Sequence, residues 1–94
     1  MLFVIYSVDD PSTPNARNDN YPEHRIYLKS APIKILIAVP YMEKTSEKII
    51  GSMLLIEASG LGEAEAFAHE DPFHVKKVWS EVYVNPYTAN ISNR

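Results

Sequence analysis

From Leu2 to Val8 nearly every position is apolar or aromatic, with Leu2, Val4, Tyr6 and Val8 alternating against Phe3 and Ile5. Such a run reads as a strand, and one that is apolar on both sides reads as covered on both faces. Asp9-Asp10-Pro11 stops it, and the polar stretch from Asp9 to Asn20 reads as a surface loop. Pro22 suits the first turn of a helix, where its missing N–H costs nothing. A short helix is therefore expected from Pro22 to near Ala31, ending before Pro32. Ile33 to Tyr41 sets Ile33, Ile35, Ile37 and Val39 against Lys34, Leu36 and Ala38, the period of a strand closed by Pro40. Beyond a polar turn at Met42–Ser46, Lys48 to Ala58 reads as a further strand, with Ile50, Leu54 and Ile56 on one face and Ile49, Met53 and Leu55 on the other.

Leu61 to Glu70 has helical spacing: Leu61, Ala64 and Ala68 share a face with Phe67 beside them, and Glu63, Glu65 and Glu70 point outward. Ser59 or Gly60 starts it, and from a Gly60 cap Glu63 falls at the third helical position, where a carboxylate suits the N-terminus. Pro72 ends this helix and begins a short turn through Lys77. Val78 to Tyr87 is the last strand, and the polar tail from Thr88 to Arg94 is expected to be mobile.

The order strand, helix, strand, strand, helix, strand predicts one α+β domain over residues 1–87. It is a ferredoxin-like split βαβ pair whose four-stranded antiparallel sheet has both helices on one face. The opposite face is apolar and the chain has no element left to cover it, so a second copy is the expected cover, in a homodimer.

Composition narrows the function classes. The 94 residues include no cysteine, which excludes disulfides, thiolate catalysis and sulfur-ligated metals. The net charge is −3, and the basic residues are scattered with only Lys76-Lys77 adjacent, which argues against a nucleic-acid partner. No apolar run is long enough to span a membrane, and Met1 to Tyr6 lacks a basic leader and reads as a strand. A cytoplasmic protein is the expectation.

His24 at one helix start and Asp71 at the exit of the other are the candidates for chemistry. A histidine titrating near neutrality with a carboxylate to orient it is the minimum for proton transfer. Against this stand a solvated His24 and an Asp71 that only caps the turn after it. Arg17 suits a substrate carboxylate or phenolate. Tyr6, Tyr21 and Tyr27 are candidates to line a pocket, while Phe73 and Trp79 read as core or dimer interface. His69, Asp71 and His74 have ligand chemistry but not the spacing that puts two ligands on one helical face. Gly51, Gly60 and Gly62 make no phosphate-binding loop, and no cofactor is implied.

Several elements together resemble the YciI-like, or YCII-related, family. They are the opening strand Met1–Tyr6, Arg17 before His24, the Pro22-Glu23-His24 segment, Ala38-Val39-Pro40 and Gly51-Ser52. The most specific are Ala64–Phe67 followed by Asp71-Pro72-Phe73, with Pro86-Tyr87 further on. The resemblance implies a ferredoxin-like fold that dimerises sheet to sheet as a dimeric α+β barrel. It also implies His24 and Asp71 as an active-site pair; Arg17, Tyr21, Tyr6 and Phe73 are the candidate ligand contacts beside them. One branch of the family resembles lyases that eliminate chloride from chlorinated hydroxyquinols. This chain departs from the family pattern at Val39 and Lys77, where glycine is usual, and at Tyr21, where arginine is.

Two functions follow. One is a cofactor-independent enzyme in which His24 abstracts a proton from a small cyclic carbon acid or phenol, for elimination or isomerisation. The other is a small-molecule-binding or accessory dimer with the same pocket and no turnover. The spatial separation of His24 and Asp71 discriminates between them.

Overall fold

Alternating side chains build four strands, and the computed structural model, which describes residues 1–90, joins them in one antiparallel sheet. In chain order the elements are β1 (Leu2–Asp9), α1 (Ala16–Lys29), β2 (Lys34–Met42), β3 (Ile49–Glu57), α2 (Leu61–Glu70), α3 (Pro72–Val75) and β4 (Trp79–Pro86). The sheet order is β2-β3-β1-β4, which is the ferredoxin-like arrangement expected. The expected mobile tail falls partly on residues 91–94, which lie outside the described residues.

Register sorts the side chains. Phe3, Ile5 and Ser7 of β1 stand opposite Ile56, Leu54 and Ser52 of β3, and all six are buried beneath the helices. Ala64 and Ala68 of α2 are fully buried on this layer with Phe67, and Tyr27 and Leu28 of α1 close its flank. Two alanines on the inward stripe let α2 lie close to the sheet, and each large side chain sealed there contributes about 1.5–3 kcal/mol. Gly60 caps α2 as expected, and Glu63 reaches back to accept the Ser59 N–H at 2.8 Å. A second, smaller cluster of Phe73, Val78 and Trp79 sits between α3 and the start of β4.

Both faces of β1 were expected to be covered, and within one chain only one is. Leu2, Val4, Tyr6 and Val8 share the outer face with Met53 and Leu55, and Tyr6 and Tyr83 remain 43% and 49% exposed. Gly51 lies on this face beneath the Tyr41 ring, whose hydroxyl donates to the Ser7 carbonyl at 2.6 Å. A Cβ at residue 51 collides with that ring and with the Ser7 carbonyl, so a glycine is required there.

Two prolines behave differently from the sequence expectation. α1 begins at Ala16, so Pro22 lies inside the helix rather than at its start, and Arg17 belongs to the first turn rather than to a loop. Pro22 leaves the Asn18 carbonyl without its helical donor, a cost of order ~3 kcal/mol in a helix interior. Tertiary contacts outweigh it, because Arg17 is tied to β1 and β3 and His24 to the residue before α3. Pro40 does not close β2, which continues to Met42; β2 is an edge strand, where a missing N–H is tolerated.

Candidate active site

Early entry into the helix gives α1 a stripe at heptad-like spacing, Arg17, Tyr21, His24 and Leu28, facing one direction. The stripe forms one wall of a cavity of about 370 Å³, with Asn18 and Arg25 beside it. The opposite wall comes from Ala38, Val39 and Pro40 of β2 and from Ile49, Ser52 and Leu54 of β3. One side is thus polar and cationic and the other largely apolar, a surface suited to a small ring carrying oxygens.

His24 is the buried residue of α1, and its Nδ1 lies 2.7 Å from Asp71 Oδ1. Asp71 is 1% exposed, and the same Oδ1 accepts the Phe73 N–H at 2.9 Å. An oxygen already accepting one N–H faces Nδ1 as an acceptor, so Nδ1 carries the ring proton of the neutral imidazole and Nε2 carries the lone pair. Among the described residues the buried polar side-chain atom without a partner is Trp79 Nε1. His24 Nε2 has no hydrogen-bond partner among the described residues and is not sealed from solvent, on a residue that lines the cavity. Asp71 serves both expected roles at once: it caps α3 and holds the histidine.

Stacking fixes the imidazole plane. Phe73 lies 3.8 Å from the His24 ring at an interplanar angle of 2°, and Trp79 meets both rings edge-on. Phe73 is in turn held by the way α3 ends. The Val78 N–H bonds to the Phe73 carbonyl at 2.9 Å and the Lys77 N–H to the His74 carbonyl at 3.1 Å. These are the paired bonds of a Schellman motif, with Val78 packed on Phe73. The motif needs a left-handed residue after the cap, and Lys77 supplies it at φ 59°, where glycine is the usual solution.

Arg17 sits over the Phe73 ring at 4.9 Å, and its guanidinium is committed on one edge. Nε and Nη2 donate to the two Asp9 oxygens at 2.7 and 2.8 Å, and Nη2 donates again to Ser52 Oγ at 2.8 Å. Its charge is thus already paired, whereas no carboxylate among the described residues reaches Arg25 on the cavity wall.

The structure brings together His24, Asp71, Arg17, Tyr21 and Phe73. Tyr6 does not join them: it lies on the outer sheet face, stacked on Tyr41 at 5.2 Å and near Tyr83. Tyr27 is also elsewhere, packed on Phe67 with its hydroxyl bonded to the Phe67 carbonyl at 2.9 Å. Burial first, then the Glu70 and Asp71 charges, pushes that hydroxyl up to about 12. His74 turns Nδ1 to the His69 carbonyl at 3.1 Å, and among the described residues no three His, Asp or Glu side chains converge. Sequence reading missed Asn18, Arg25, Ser52 and Asp9. A helix begun at Ala16 rather than Pro22 points to the first two, beside the stripe through Arg17, and Ser52 is the polar gap in the face that carries Ile50, Leu54 and Ile56.

No curated protein matches the chain. Among solved structures, the 5-chloro-2-hydroxyhydroquinone dehydrochlorinase of Burkholderia phenoliruptrix AC1100, in complex with 2,5-dihydroxybenzoquinone, is 30% identical. It superposes with a TM-score of 0.85 over 94% of each chain. An antibiotic biosynthesis monooxygenase is 13% identical, with a TM-score of 0.55 over 94% of this chain and 99% of that one. A putative antibiotic biosynthesis monooxygenase from Caulobacter crescentus CB15 is 11% identical, with a TM-score of 0.55 over 89% and 84%. The last two share the fold alone. The model of the YCII-related domain matches residues 1–88, and the chain belongs to that family.

Proposed function

We propose that the protein is a cofactor-independent enzyme that removes a proton from a small cyclic carbon acid or phenolic substrate, driving elimination or isomerisation. The observation that carries this is His24 Nδ1 bonded to buried Asp71 at 2.7 Å, with Nε2 unpartnered on a residue that lines a cavity of about 370 Å³. From a phenol Nε2 takes the O–H proton, and the oxygen keeps the bonding pair. From a carbon acid or the keto tautomer of a phenol it takes a C–H proton, whose bonding pair moves into the ring and charges the carbonyl oxygen. In an elimination the leaving group departs with its own bonding pair, so HX is lost without an external oxidant or reductant. Asp71 holds the ring in the Nδ1–H tautomer and stabilises the imidazolium that forms. Arg25 and the remaining Arg17 donors attract the anionic oxygens.

The similarity to a dehydrochlorinase solved with a dihydroxybenzoquinone supports a halogenated hydroxyhydroquinone as the first substrate to test. Halide release, followed under anaerobic conditions, should be enzyme-dependent and fall by at least about 100-fold in His24→Ala, the usual worth of a general base. Undiminished release by that variant rejects the mechanism. The alternative, a binding protein without turnover, draws on Val39 and Tyr21 in the cavity wall, both departures from the family pattern. Ligand-induced thermal stabilisation without halide release would favour it.

The same proposal includes a homodimer through the outer sheet face, where Val4, Tyr6, Met53, Leu55 and Tyr83 have no cover within the chain. Sedimentation at micromolar protein should give twice the chain mass of 10.7 kDa, and a well-folded monomer contradicts it.

A further inference from the structure

Ser52 is a buried hydroxyl whose proton has no destination. The residue is 4% exposed, lines the same cavity as His24, and lies on the inner face of β3. Its Oγ accepts from Arg17 Nη2 at 2.8 Å, and its main-chain N–H and carbonyl are both engaged by Ser7 Oγ, at 3.2 and 3.3 Å. Among the described residues no acceptor faces the Ser52 hydroxyl proton. With one lone pair occupied by a guanidinium N–H, that proton rotates away from Arg17. A buried donor without a partner is costly, and the cavity is the open space beside it.

We propose that Ser52 is a further catalytic residue: its hydroxyl donates to the substrate oxygen that becomes negative when His24 takes the proton. The inference rests on the proton-abstraction reading of this cavity. Ser52 on β3 and His24 on α1 line opposite walls of the same cavity, so a small ring bound between those walls can meet both side chains. A donor already polarised by an Arg17 N–H, and held in place by the Asp9–Arg17 pair, needs no reorganisation as the charge develops. Without the ligand, Ser52 is simply the third acceptor for Arg17, and the experiment must separate the two roles.

The probe is para-nitrophenol, whose colour reports ionisation, titrated into the folded protein across the pH range in which it ionises. Wild-type protein should bind the ionised form in preference to the neutral one. Ser52→Ala should weaken binding of the ionised form about tenfold (about 1.4 kcal/mol) and leave the neutral form unchanged. Asp9 still holds Arg17 through two bonds in that variant, so the cation stays in place. Tyr27→Phe removes a hydroxyl that bonds the Phe67 carbonyl away from the cavity, and should keep the wild-type preference. If Ser52→Ala does not fold, Ser52→Cys keeps the volume with a weaker donor and should give an intermediate preference. A wild-type preference in the Ser52 variants overturns the inference and leaves the reading of the cavity intact. Failure of wild-type protein to bind the phenol at all removes both.

Discussion

One Asp71 oxygen holds two donors, the Phe73 N–H at 2.9 Å and His24 Nδ1 at 2.7 Å, in a place where Asp71 and Phe73 are 1% and 0% exposed. Asp71→Ala removes the helix cap, worth about 1 kcal/mol. It also strands the imidazole donor, worth about 1–3 kcal/mol when no water replaces the partner. The sum is about 2–4 kcal/mol, and a domain of this size loses roughly 4–8 °C of Tm per kcal/mol. Asp71→Asn keeps an acceptor oxygen and caps as well as aspartate does, so its cost should stay below about 1.5 kcal/mol. Urea unfolding followed by the single tryptophan, Trp79, which lies 6.5 Å from the His24 ring, measures both variants. An alanine variant within about 0.5 kcal/mol of wild type, the range of inconsequential surface changes, refutes the claim that this oxygen organises the site. An asparagine variant as costly as alanine shows that the charge and not the bonding geometry does so.

Lys77→Gly should stabilise the protein by about 0.5–1 kcal/mol in the same assay, since relief of a left-handed side chain exceeds the entropy glycine adds to the unfolded chain; a loss contradicts the Schellman assignment. Pro22→Ala should gain about 2 kcal/mol by restoring the bond to the Asn18 carbonyl, less the added freedom of the unfolded chain. An unchanged midpoint means that α1 has already absorbed the proline. The Tyr27 hydroxyl is raised from 10.0 to about 12 by burial and by the Glu70 and Asp71 charges, so folding favours its protonated form. Its contribution is complete below pH 10 and fades as pH climbs towards 12, and Tyr27→Phe should flatten that fall in stability; parallel curves for the two proteins reject it.

Strand alternation made the sheet legible, and Ala64, Phe67 and Ala68 made α2 legible, because burial on one face imposes a period that composition displays. Proline misled twice for one reason: a local rule about a missing N–H was applied where tertiary context had made the N–H dispensable or its loss tolerable. Pro40 lies on an edge strand, and Pro22 is held inside α1 by the bonds of Arg17 and His24. Reading the helix from Pro22 placed Arg17 in a loop and hid the stripe that lines the cavity. His24 and Asp71 were visible as chemistry at helix ends and through the family resemblance, but their contact joins residues 47 positions apart and no local pattern encodes it. Ser52 and Asp9 were invisible as a pair, since the Arg17 side chain links them across two strands. Tyr6 shares β1 with the buried Ile5, and one step of register decided which face it took.

His24 presents a lone pair at Nε2 because Asp71 holds the proton at Nδ1. Nitrogen-15 NMR of the His24 ring tests this directly at a pH where the ring is neutral. The expected spectrum has a protonated Nδ1 and an unprotonated Nε2, with the pattern lost in Asp71→Ala. A proton on Nε2 in wild-type protein would leave the cavity facing a donor instead of a base, and would contradict the proton-abstraction mechanism.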